Sequence, residues 1–180
     1  QKTSIQLPST RRFERKRLYG RNLSGLLCLQ ISRKSVPMYG SYSISRSWVF
    51  RIILITSAVY ILQLLQPLYF GYDFLVTYFG LIPGLVTAKG FVWQIFTYMF
   101  LHGNSMHIFF NMYGVFLFGA MVEEVWGPKK FIIYYLFCGT GAGISIFLLN
   151  LIMGGPGFIS PTIGASGAVF GLLFAFGFLF

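Results

Sequence analysis

The sequence predicts an all-α, multi-pass membrane protein, and three observations carry that expectation. Of its 180 residues, 56% are hydrophobic and only 10% are charged, where a soluble domain carries about a quarter. Long apolar stretches recur, each close to the roughly 20 residues that a helix needs to cross a bilayer. Lys and Arg gather outside these stretches, as they do on the cytoplasmic side of spans.

The charge is unevenly placed. Nine Lys/Arg against Glu14 give residues 1–37 a charge of +8 out of the net +10. A basic tail rather than a folded basic patch argues against a nucleic-acid partner, and membrane topology accounts for it better. Residues 1–46 therefore read as a basic, disordered cytoplasmic tail, and residues 47–180 as a membrane domain. The tail is also Arg- and Ser-rich and acid-poor, which is how a mitochondrial transit peptide looks. The chain opens on Gln1 and its first methionine is Met38, so residues 1–37 need not belong to the mature protein. Cys28 and Cys138 offer neither a disulfide framework nor a zinc spacing. No metal or cofactor is expected.

The first span is read at about 48–65, apolar except for Arg51 and Gln63 and stopped by Gln66-Pro67. Arg51 lies close enough to the start to snorkel to the headgroups. Residues 68–103 are too interrupted by Gly and Pro to cross lipid and too apolar for a solvated loop, so short interfacial pieces are expected. The second span covers about 105–122, with Asn104 or Ser105 as a natural N-cap. After a short charged turn the third covers about 131–153. Gly154-Gly155-Pro156-Gly157 makes an uncharged loop, and the fourth opens near Gly164 and runs to 180 and onward. Fifteen residues from Ser166 rise only about 22 Å, short of a core of about 30 Å, so the chain reads as a fragment. With the tail inside, Lys129 and Lys130 are inside too, and the outer loops carry only Lys89.

Polar groups at membrane depth are costly and mark function. Three stand out. His107 and Asn111 are four apart, so they share one helix face one turn apart. Two donors aimed at one point in a dry site suit an oxyanion; hydrogen bonding to neighbouring helices is the bland alternative, and spacing alone serves either. Ser166 lies in Gly164-Ala165-Ser166-Gly167, after a Gly/Pro loop and at the start of an apolar helix. There, free N–H groups and the positive dipole end favour developing negative charge. Taken alone, the same tetrapeptide is read more simply as a small-residue packing surface, with Gly167-xxx-Gly171 a motif for close helix contact.

The order of motifs is more specific than any one of them. Trp93-Gln94, Phe96-Thr97 and His102 come first, then His107-xxx-Asn111, Gly119-xxx-Glu123-xxx-Gly127 and Gly164-Ala165-Ser166-Gly167. In order, spacing and placement this resembles the rhomboid family of intramembrane serine proteases, over about Trp48 to Phe180. The resemblance implies a rhomboid-like bundle of six helices, four of them represented. It implies Ser166 as nucleophile, His107 and Asn111 as oxyanion donors with the Ser166 N–H, and His102 as a structural histidine. Gly164 and Gly167 flank the serine. Phe170 takes the place of an aromatic that packs on the catalytic histidine, and Glu123 that of a structural acid. Gln94 departs from the family's frequent Arg in the Trp-Arg pair of the first loop, a departure that touches no catalytic group. The family's general-base histidine lies on a sixth helix, so it is not in this chain, and the fragment is expected to be inactive.

The intact protein is thus expected to cleave transmembrane segments of other membrane proteins. The alternative is a non-catalytic rhomboid-like protein that binds membrane clients. Expected partners are transmembrane substrates and the lipid bilayer. The expected location is the bacterial plasma membrane with the N-terminus cytoplasmic, or else the mitochondrial inner membrane.

Overall fold

Backbone amides surrounded by lipid find partners only within their own segment, so apolar stretches of this length close into helices. The computed structural model describes residues 47–70 and 73–180, all within one unit, Tyr42–Phe180. The tail read at 1–46 lies outside the described residues. The first long helix, α1, is Trp48–Leu65, the stretch read as the first span. Its buried residues, Val49, Ile52, Thr56 and Gln63, form one stripe toward the bundle.

Residues 68–103 form short pieces. They are α2 (Pro67–Phe70), α3 (Phe74–Phe79), α4 (Pro83–Lys89) and α5 (Gln94–Thr97), the last running into a 3₁₀ turn at Tyr98–Phe100. Pieces this short leave many backbone groups unpaired within themselves. Glutamines supply the missing partners, because a carboxamide both donates and accepts. Gln66 accepts from Leu75 N–H at 2.7 Å. Gln94, fully buried, accepts from Ile82 N–H at 3.1 Å and donates to Thr77 O at 2.9 Å. Beside it Trp93 Nε1 donates to Tyr78 O and Thr97 Oγ1 to Phe79 O. The departure at position 94 leaves this segment anchored: a neutral amide is buried at the centre of the backbone clamp.

The second span is α6, Ser105–Trp126, which runs four residues past its expected end. It contains a π-helical turn at Val115–Gly119. One residue at Gly127 separates it from α7, Pro128–Met153, which opens earlier than expected because Pro128 suits a first helical position. A short α8 (Pro156–Ile159) precedes α9, Ser166–Leu179. Helices α1–α2, α6 and α7 are long and apolar enough to cross a membrane; α9, with 14 residues, is shorter. Among the described residues extended pairing is limited to one antiparallel bridge, Leu81 with Thr162.

The helices pack through small residues. A methyl group at Gly167 or Gly171 of α9 would collide with Ala142 or Cys138 of α7, so these two helices approach more closely than side chains otherwise allow. On the α6 side, Gly114 admits Val169 in the same way. The packing surface foreseen for Gly167-xxx-Gly171 thus exists, and it leaves Ser166 on a different, exposed side of α9.

The start of α1 and the end of α6 are joined by one carboxylate. Glu123, buried, accepts from Ser47 Oγ at 2.9 Å, Trp48 N–H at 2.8 Å and Val49 N–H at 3.2 Å. It satisfies the open amides of the first turn of α1, where a negative group also suits the helix dipole. Glu123→Ala leaves these donors without that acceptor and is expected to lower stability by about 3 kcal/mol. Glu123→Gln, which still accepts, is expected to lose distinctly less, and thermal unfolding of the purified protein in detergent orders the two.

Candidate active site

The loop before α9 is pinned to the rest of the protein by backbone. Leu81 and Thr162 exchange both bonds of their bridge, at 3.0 and 2.9 Å, and Gly164 N–H donates to Tyr98 O at 3.0 Å. Tyr98 is itself fixed, its buried hydroxyl donating to Gly139 O of α7 at 2.9 Å. Gly164 adopts φ +122°, a region that favours glycine. The loop therefore delivers Ser166 at the first position of α9. Ala165, at the N-cap, has no side chain able to bond the first turn. The opening amides of α9 are left without the usual capping oxygen, beside an exposed Ser166 hydroxyl.

His107 is placed by the start of α6. Asn104 caps that helix, its Oδ1 accepting from His107 N–H at 2.8 Å. The imidazole Nδ1 accepts from Gly103 N–H at 3.4 Å. A neutral imidazole that accepts at one nitrogen carries its proton on the other, so Nε2 is the donor. Nε2 and Cε1 face Gly164, and a Cβ built there would lie 2.7 Å from both. Position 164 thus requires glycine twice over, for its backbone angle and for the ring against it. The structure brings the His107 ring against Gly164, two positions before Ser166 in the chain.

Asn111 lies one turn farther along α6 and is buried. Its Nδ2 donates to His107 O at 2.8 Å, so one amide hydrogen is spent within the helix and the second is what remains for another acceptor. The two donors expected to converge are therefore placed differently, His107 by its ring and Asn111 as a side chain tied to the turn above. His102 is 1% exposed, its ring edge-on to that of His107 with centroids 5.0 Å apart. Gln63 of α1 holds its backbone from both sides, donating to His102 O at 3.2 Å and accepting from His102 N–H at 3.0 Å. Phe170, one turn below Ser166, is 71% exposed. Glu123 is not part of this cluster; it caps α1.

Tyr98 and the Gln63 clamp were missed as parts of the site. Gln63 carried a signal, being a polar residue inside an apolar span; Tyr98 carried none, because an aromatic in an aromatic-rich stretch looks like packing. Among the described residues no group of three His, Cys, Asp or Glu gathers as a metal site.

A family model described as the rhomboid domain matches residues 89–180, just over half of the chain. The chain belongs to the rhomboid family. The matched region of this rhomboid chain contains Tyr98, His102, His107, Asn111, Gly164 and Ser166, but neither Gln63 nor Leu81. With its long apolar helices, family membership makes it an integral membrane protein. It is similar to Rhomboid protease GluP of Bacillus subtilis, 32% identical over 95 residues, which cover 53% of this chain and 17% of that protein. It is also similar to Rhomboid protease GlpG of Haemophilus influenzae, 27% identical over 121 residues, 67% of this chain and 58% of that one. A third relative is RHOMBOID-like protein 6, mitochondrial, of Arabidopsis thaliana, 34% identical over 83 residues, 45% of this chain and 24% of that one. The chain thus spans less than two thirds of the length of each.

Burial lowers the His102 pKa from 6.5 to about 4, helped by His107 beside it and opposed by the Phe100 backbone. Above pH 6.5 the imidazole is neutral whether the chain is folded or not. Between 6.5 and about 4 the unfolded chain takes up a proton that the folded chain refuses, so stability falls as the pH drops through that window. His102→Phe is expected to remove this part of the acid sensitivity. Melting temperatures of both proteins across that range test it, and an unchanged pH profile in the variant refutes the neutral buried ring.

Proposed function

We propose that the intact protein is an intramembrane serine endopeptidase in which Ser166 is the nucleophile. The observation that carries this reading is the meeting of two features: a serine at the uncapped start of α9, and the His107 Nε2 donor against Gly164, two residues before it. The printed names of two relatives, both rhomboid proteases, support the same class of activity.

In this mechanism a histidine outside residues 1–180 takes the proton of Ser166 Oγ as the oxygen attacks the scissile carbonyl. His107 is assigned elsewhere because its Nδ1 is occupied and its Nε2 donates. The oxyanion accepts from the His107 Nε2–H, from the second amide hydrogen of Asn111 and from the Ser166 backbone N–H. The peptide C–N bond then breaks, the amine leaves with the proton from the base, and water hydrolyses the acyl-enzyme. His102, Gly164, Gly167 and Tyr98 act by positioning. The substrates are transmembrane segments of other proteins, reached from within the bilayer. The N-terminus is assigned to the cytoplasm, with Lys129 and Lys130 on the same side. The bacterial plasma membrane is the proposed location, the mitochondrial inner membrane the alternative.

A full-length Ser166→Ala variant is expected to insert normally and lose all cleavage of a transmembrane reporter, and His107→Ala to lower kcat about 10²–10³-fold. Continued cleavage by Ser166→Ala overturns the nucleophile. A wild-type protein that retains the reporter without cutting it favours the client-binding alternative.

A further inference from the structure

The turn between α6 and α7 carries a groove that the proposed chemistry does not use. It has a volume of about 490 Å³ and is lined by Trp126, Lys130, Ile133, Tyr134 and Phe137, within the usual size of small-ligand sites. Lys130, Ile133, Tyr134 and Phe137 follow one another at helical spacing on one face of α7, so the groove descends along the helix for about 10 Å. Its character changes on the way down. At the mouth is exposed Lys130, with exposed Lys129 next to it in the chain; below it Ile133 and Phe137 are 67% and 74% exposed. Trp126 and Tyr134 stand edge to face between the two zones, their centroids 5.0 Å apart.

The lysines are not neutralised locally. Among the described residues neither has a carboxylate within ion-pair distance. Glu123 is buried in the cap of α1, and Glu124, exposed at the same turn, does not line the groove. Tyr134 spends its hydroxyl on Gly171 O at 2.8 Å, which fixes the ring as a wall.

We propose that this groove binds one anionic phospholipid, with the phosphate at Lys129 and Lys130 and an acyl chain along Ile133 and Phe137. Charge complementarity selects the headgroup, since a cation pair beside lipid favours an anionic one. The apolar floor selects a lipid over free phosphate, to which it offers nothing. The aromatic pair lies at the boundary where Trp and Tyr rings are favoured in membrane proteins. Through the Tyr134–Gly171 bond, the occupied groove braces α9, the helix that carries Ser166. The inference holds whether or not Ser166 is a nucleophile.

The test is tryptophan quenching in the full-length protein, reconstituted in phosphatidylcholine nanodiscs. Phosphatidylglycerol or phosphatidylcholine brominated on its acyl chains is titrated in, and the Trp126 signal is taken as the difference from a Trp126→Phe variant. Half-quenching is expected at a roughly fivefold lower mole fraction of the anionic lipid, the factor one lysine near an anionic surface supplies. In a Lys129→Gln/Lys130→Gln variant with unchanged melting temperature, the two curves are expected to coincide. Coincident curves in the wild type, a preference that survives the double substitution, or a Trp126 that neither lipid quenches each overturn the proposal.

Discussion

The fold depends on one constraint: a backbone N–H or C=O at membrane depth must be paired by protein, because lipid pairs nothing. Long helices meet it internally. Their ends and the broken segment between α1 and α6 do not, and there the chain places its buried polar side chains. Glu123 takes the open amides of α1. Gln66 and Gln94 take those of Leu75 and Ile82, and Gln63 takes both backbone groups of His102. Each substitutes for the secondary structure that Gly and Pro interrupt. Polar residues that would be expensive in lipid are thereby the means of keeping an irregular segment there.

This explains what could be read in the sequence and what could not. The fold class followed from composition and from apolar run lengths, which report directly on the solvent. Ser166, His107 and Asn111 drew attention because a polar group in such a run demands a reason. The partners of those groups were invisible, since they are set by three-dimensional proximity between segments far apart in the chain. Ser47 and Glu123 are 76 positions apart, and nothing local to either indicates the other. The part played by Gln94 was hidden for a related reason: the site needs one acceptor and one donor aimed at two backbone groups, and a carboxamide supplies both.

The helix ends show a similar division. Pro128 and the charged turn mark where α7 begins, yet its start was placed at Phe131 because the apolar run was weighed more heavily than the proline. The π-helical turn inside α6 had no sequence sign. It arises where α6 must fit α1, α7 and α9 together, with Gly114 and Gly119 admitting Val169, Val49 and Phe131.

The constraint on backbone pairing also decides what His107 can do. Where the chain turns into α6, Gly103 N–H donates to Nδ1 of His107 at 3.4 Å. Once that nitrogen accepts, the ring proton resides on Nε2, facing Gly164. The imidazole is thus set as a donor by the needs of a turn, before any substrate is considered. A donor held in that tautomer can stabilise negative charge but cannot take the proton of Ser166 through the same nitrogen. His102, edge-on to it, cannot replace it, because its ring is buried and its backbone is clamped by α1. Of the two neighbouring imidazoles, only that of His107 reaches the loop before α9; in the proposed mechanism it serves the oxyanion, and the proton acceptor comes from another part of the molecule.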